Sequence, residues 1–199
     1  MLHTQLFHDH CFPSGFAHFL PAFPSDGFLP GPPPEEVSSS AVYIVFNMSL
    51  SLQDKTAIVT GGSRGIGAGI AGELAKCGAK VLITYASASE AAENVVENIR
   101  ASGGQATSLQ ADCMDEKSPQ KVVRATIDAF AGGIDIIINN AGAGDEMFLK
   151  DETYEHFDKM FYTNVRFPMF LVKECLPYLR RGARIVNIGS VVARQGEWV

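Results

Sequence analysis

Two hydrophobic periods alternate along the chain from Leu52 onward. Short β-branched runs, TAIVT (Thr56–Thr60), KVLIT (Lys80–Thr84), ATSLQA (Ala106–Ala111), IDIIIN (Ile134–Asn139) and RIVNI (Arg184–Ile188), have the length and composition of strands. Between them apolar residues recur at helical spacing: Ile66/Ile70/Leu74, Ala92/Val95/Val96/Ile99, Val122/Val123/Ile127/Phe130, and a long stretch from Thr153 to about Leu179. Strands apolar on both faces, separated by amphipathic helices, predict a parallel sheet covered on both sides: a doubly wound α/β domain.

Residues 1–47 follow neither period. They hold seven of the ten prolines, seven of the thirteen phenylalanines, four of the five histidines, and no Lys or Arg. A segment so rich in breakers and so poor in periodic burial does not offset the entropy of ordering itself, and a disordered tail is expected. His3, His8, His10, Cys11 and His18 lack the i,i+4 spacing of a helical metal site, so no metal is assigned to them. Met48 opens the domain expected over 48–199; a chain that starts there is a hypothesis that N-terminal sequencing of the native protein tests.

At 199 residues one domain with a sizeable core is the expectation. A formal charge of −6 and a pI near 5.3 argue against a nucleic-acid or anionic-membrane partner. Cys11, Cys77, Cys113 and Cys175 are widely spaced, without a CxxC pair, which fits a reducing, cytoplasmic setting. No apolar run approaches the roughly 18 residues of a membrane helix.

The first strand runs into TGGSRGIG, Thr60 to Gly67, and then into a helix. Gly61 serves the tight turn, Gly65 lets a pyrophosphate approach the main chain, and Gly67 lets the helix pack close to the sheet. Ser63, Arg64 and Ile66 line the turn, and the phosphates of a dinucleotide would lie on the helix N-terminus.

This glycine spacing, followed in order by NNAG (Asn139–Gly142), Asn164 within the long helix and Ser190 after the fifth strand, resembles the short-chain dehydrogenase/reductase family over Leu52 to Val199. The resemblance implies a Rossmann fold and a nicotinamide cofactor. The second strand ends in Tyr85, Ala86 and Ser87, with no acid before Glu90, so nothing there repels a 2′-phosphate; with the Arg64 cation this favours NADP. By resemblance Asp112 contacts the adenine with the Cys113 amide beside it, and Asn140, Ala141 and Gly142 both steady the sheet and line the cofactor. Asn164 holds a water in a proton relay, with Pro168 marking a helix bend. Ser190 hydrogen-bonds a substrate carbonyl and the charge that grows on it.

In the family a Tyr-x-x-x-Lys motif follows the serine. Tyr154, Tyr162 and Tyr178 all precede Ser190, and none has a lysine at the fourth position. The sequence as given is therefore expected to be truncated before that motif, with an incomplete fold and little activity of its own. The leading expectation is an NADP-dependent reductase of a ketone, similar to 3-oxoacyl-carrier-protein reductases and fungal hydroxynaphthalene-type reductases, and a homo-oligomer when complete. The alternative is a non-catalytic NADP-binding fragment that pairs with a full-length relative. A further reading makes the 1–47 tail an interaction segment.

Overall fold

A computed structural model describes residues 51–145 and 147–190; the expectations for residues 1–47 and Met48 lie outside them. Five strands form one sheet: β1 (Thr56–Val59), β2 (Lys80–Tyr85), β3 (Gln105–Gln110), β4 (Ile134–Asn139) and β5 (Leu179–Asn187). Their order is β3-β2-β1-β4-β5 and every pairing is parallel, so the chain reverses its direction of travel across the sheet between β1 and β4. This is the doubly wound sheet the pattern predicts.

Residues alternate between two cores. Ala57 and Val59 of β1, with Val81, Ile83 and Ile138, pack under α1 (Gly65–Lys76) and α2 (Ser89–Ala101) through Ile70, Ala71, Val96 and Ile99. Ile58, Leu82 and Ile137 face the other way, against Val122 and Val123 of α3 (Ser118–Phe130) and against Phe167, Leu171 and Cys175. Helices on both faces bury the central strands completely, which is why β1 reads as an unbroken apolar run.

The structure differs from the sequence-based expectation in two places. The predicted helix from Thr153 to about Leu179 is instead α4 (Tyr154–Phe161), a π-helical turn over Tyr162–Arg166, α5 (Phe167–Cys175) and a 3-10 turn at Leu176–Tyr178. The interruption is the π turn itself; Pro168 is the second residue of the segment after it, in its first turn. The fifth strand also begins earlier, at Leu179. Arg180 joins it because its guanidinium bonds Asp135 at 2.9 Å, and Gly182, at φ +85°, absorbs the register shift between Ile134 and Ile136.

Asp135 ties the amino ends of three strands together. Its carboxylate is buried and accepts from the Thr56 N–H at 3.0 Å, Lys55 Nζ at 3.2 Å and Arg180 Nη1 at 2.9 Å. The two cations reach solvent and rehydrate if Asp135 is lost; the Thr56 N–H is buried and does not. Replacing Asp135 with alanine is expected to cost about 2 kcal/mol, mostly that stranded donor, read as a lower urea midpoint at constant m-value.

Candidate active site

All the sequence-predicted site residues lie at or beyond the carboxyl edge of the sheet, arranged by strand order. Asp112 follows β3, Tyr85–Ser87 end and follow β2, the glycine turn follows β1, Asn140–Gly142 follow β4 and Ser190 follows β5. The turn after β1 and the one after β4 diverge at the reversal point, where open α/β sheets form their ligand crevice.

The turn is built by close backbone approach. Gly61, at φ +64°, stands where a Cβ would lie 2.9 Å from the Ala141 Cα, and Gly67 where one would lie 2.5 Å from Asn140 Nδ2. Gly67 thus serves contact between the turn and the β4 loop as much as helix-to-sheet packing. Gly65, at φ +55°, has nothing within 4 Å of its Cβ position. That open space lies at the N-terminus of α1, whose first N–H groups have no partner within the helix, a place where anions bind in general. Ile66 and Arg64 are exposed beside it, and the Arg64 side chain makes no hydrogen bond or ion pair with any described residue.

Three contributors were not singled out from the sequence. Thr60 Oγ1 accepts the N–H groups of Asn140 at 3.0 Å and Ala141 at 2.9 Å, while Asn140 Nδ2 donates to the carbonyls of Thr60 at 2.9 Å and Gly61 at 3.1 Å. Asn140 is therefore a strut between β4 and the glycine turn, its amide hydrogens spent. Thr84 holds the turn from the other side, its Oγ1 accepting from Gly61 N at 3.2 Å and its carbonyl from Gly62 N at 2.9 Å. Gly62 is required as well, since a Cβ there would meet the Ile83 Cβ at 2.6 Å. The threonine that ends each strand immediately before its loop was the available signal.

At the end of β2, Tyr85 and Ser89 hydroxyls pair at 3.2 Å and Gln110 Nε2 donates to the Ala86 carbonyl at 2.8 Å, which leaves Ser87 exposed at the tip. Asp112 Oδ1 accepts from Met114 N at 2.9 Å and so shapes its own turn. Cys113 turns its side chain elsewhere, into a groove of about 300 Å³ lined also by Pro119, Phe167 and Phe170. Burial, then the neighbouring Asp112 charge, pushes its thiol up to about 11, so it stays protonated and unreactive near neutral pH.

Asn164 sits in the π turn and pairs with Ala143 in both directions: Oδ1 accepts the Ala143 N–H at 3.0 Å and Nδ2 donates to the Ala143 carbonyl at 2.8 Å. Its side chain fastens the β4 loop to the helix through one hydrogen of Nδ2 and one lone pair of Oδ1. Its main-chain carbonyl differs, because Pro168, four residues on, has no N–H with which to close the α-helical bond. Ser190 is exposed beyond β5. Among the described residues no group of three or more His, Cys, Asp or Glu could hold a metal, and no helix is long and apolar enough to cross a membrane.

Comparison with known proteins agrees with this geometry. The family model for short chain dehydrogenase matches residues 55–198, and the chain belongs to that family, whose enzymes use a nicotinamide cofactor. A short-chain dehydrogenase/reductase, FrzI, of Cladobotryum sp is 51% identical over 146 residues, 73% of this chain and 56% of that protein. Versicolorin reductase 1 of Aspergillus parasiticus is 44% identical over 71% of this chain and 54% of its own. The crystal structure of a short chain dehydrogenase from Burkholderia cenocepacia J2315 in complex with NADP superposes with a TM-score of 0.71 at 42% identity, over 73% of this chain and 59% of that one. The chain spans little more than half the length of the curated relatives it matches.

Proposed function

We propose that the protein is an NADP-dependent reductase that converts a ketone to a secondary alcohol, with a polyketide-like or 3-oxoacyl carbonyl compound as substrate. The observation that carries the cofactor assignment is the Arg64 guanidinium at the glycine turn, exposed and without a partner among the described residues, together with a β2 terminus of Tyr85, Ala86 and Ser87 that has no carboxylate. A cation with free donors and a neutral hydroxyl tip suit a 2′-phosphate; an NAD site would hold an acid there. Versicolorin and tetrahydroxynaphthalene reductases among the relatives, at 44% and 40% identity, support the substrate class.

In this reading the turn of Gly61, Ser63, Arg64, Gly65, Ile66 and Gly67 binds the diphosphate through main-chain N–H groups. Asp112 and the Cys113 amide border the adenine; Asn140 and Ala141 form the floor under the ribose, with Gly142 leading toward the substrate. When bound, the nicotinamide supplies the hydride. Ser190 donates to the substrate oxygen and tightens on it as negative charge develops. The Asn164 carbonyl holds a water that hands on the proton. Homo-oligomerisation is supported by Phe157, Phe161, Val165 and Met169, which recur at i,i+4 and are each about half exposed.

Fluorescence titration tests the cofactor assignment. NADPH is expected to bind more tightly than NADH, and Arg64→Ala to weaken NADPH by about 10- to 100-fold, the value of a charge-assisted phosphate contact, while leaving NADH unchanged. Equal losses for both cofactors would sink the assignment of Arg64 to the 2′-phosphate.

A further inference from the structure

We infer that Arg166 is a positioning residue for the adenine end of the cofactor site: its guanidinium holds the turn over residues 112–116 in place from the π turn that also carries Asn164. The inference rests on the adenine-bordering role proposed for Asp112 and the Cys113 amide. Inside that turn the bonds are local. Asp112 Oδ1 accepts from Met114 N at 2.9 Å, the Asp112 carbonyl accepts from Asp115 N at 3.2 Å, and Asp115 Oδ1 accepts from Lys117 N at 2.9 Å. Bonds over two or three residues fix the shape of a turn but not where it lies against the rest of the molecule. Arg166 supplies contacts of long range: Nη2 donates to the Met114 carbonyl at 2.8 Å and Nη1 to Glu116 Oε1 at 3.3 Å, across 52 and 50 residues of chain.

The two bonds differ in weight. The Glu116 side chain is 84% exposed, so its ion pair is screened and contributes little. The Arg166 side chain is 21% exposed, and its guanidinium lies over the Tyr162 ring, 3.6 Å from the centroid. A guanidinium plane fixed by stacking aims its N–H groups, so the charge-assisted bond to the Met114 carbonyl forms with little further loss of freedom. Lysine has neither the plane nor the fork. The π turn places every partner: Tyr162 and Arg166 stand at its ends, and between them is Asn164, whose side chain bonds Ala143 in the loop after β4. One turn of helix therefore holds the loop after β4 through Asn164 and the loop after β3 through Arg166. Interruptions of this kind are frequent at functional sites. Arg166 orders the 112–116 turn before the cofactor arrives, so that ordering it does not weaken binding.

Arg166→Met keeps the stem and removes the fork, Arg166→Lys keeps the charge, and Glu116→Gln removes only the exposed ion pair. Adenosine 2′,5′-bisphosphate, which carries the adenosine half of NADP alone, is the probe, titrated by calorimetry into the natural gene product. Its affinity is expected to fall by about 3- to 10-fold in Arg166→Met, the value of one hydrogen bond, and that of NADPH by the same factor. Arg166→Lys should recover only part of the loss, and Glu116→Gln should match the parent. The preference for NADPH over NADH should hold, in contrast to Arg64→Ala. A larger loss for NADPH than for the bisphosphate marks a general disturbance of the site and overturns the inference, as does full recovery in Arg166→Lys. Amide exchange at Met114 gives a readout that needs no cofactor: faster exchange in Arg166→Met supports the hold on the turn, and unchanged protection overturns it. Asp112→Ala separates this inference from the reading beneath it. Bisphosphate affinity that falls in Asp112→Ala but not in Arg166→Met overturns the role of Arg166, whereas affinity unchanged in both refutes the adenine assignment of the turn and the inference with it.

Discussion

Gly67→Ala is expected to destabilise the domain by about 2–3 kcal/mol, the upper part of the usual range for overpacking, and to weaken NADPH binding more than about tenfold. The new methyl would meet the Gly61 carbonyl and Asn140 Nδ2. Neither can step aside: Asn140 Nδ2 is bonded to the carbonyls of Thr60 and Gly61, and Gly61 N is held by Thr84 Oγ1. The turn must open, and the N–H groups proposed to bind phosphate lose their aim with it. Gly65→Ala is the contrast. Its left-handed backbone makes alanine cost only about 1–2 kcal/mol, but its methyl would project into the open space at the helix N-terminus proposed for the diphosphate. Urea denaturation and NADPH titration of the two variants should therefore rank differently, Gly67→Ala worse in stability and Gly65→Ala losing affinity out of proportion to stability. A Gly67→Ala protein with the parent midpoint and affinity would refute the steric account.

How far the sequence was legible depended on whether the cause of each feature lay nearby in the chain. The strands and the first three helices follow local periods, and even the polar β3, Gln105–Gln110, was readable one residue displaced, as Ala106–Ala111. Gly61, Gly65 and Gly67 were readable from one turn. Gly62 was not, because the atom that excludes a side chain there is Ile83 on the neighbouring strand. The start of β5 was hidden by Arg180 and Arg181, charges that a strand prediction counts against; Arg180 is extended there because Asp135, far back in the sequence, receives it. The break in the long helix was placed at Pro168, whereas the helix widens earlier, over Tyr162–Arg166, where Arg166 stacks on the Tyr162 ring at 3.6 Å and its Nη2 donates to the Met114 carbonyl at 2.8 Å. Tertiary contacts of this kind leave no period in the sequence. The bonds between the Asn164 side chain and Ala143, 21 residues back in the chain, are of the same kind.

Ser190→Ala carries the largest functional effect expected. A donor aimed at oxygen charge that exists fully only in the transition state contributes more to kcat than to substrate binding, and removal of one such donor lowers kcat by about 10²–10³. Ser190 is exposed and lies beyond the end of β5, so its loss removes no core packing and stability should hold within about 0.5 kcal/mol. NADPH affinity should also hold, since the glycine turn and the β2 terminus are fastened by Thr60, Thr84 and Asn140 rather than by the β5 loop. The variant to measure is therefore one with native midpoint and native cofactor Kd, assayed in the natural gene product with NADPH and a panel of cyclic ketones. A fall in kcat with KM nearly constant assigns Ser190 to the developing alkoxide. A rise in KM alone makes it a binding residue that holds substrate and transition state equally, and an unchanged kcat/KM removes it from the reaction.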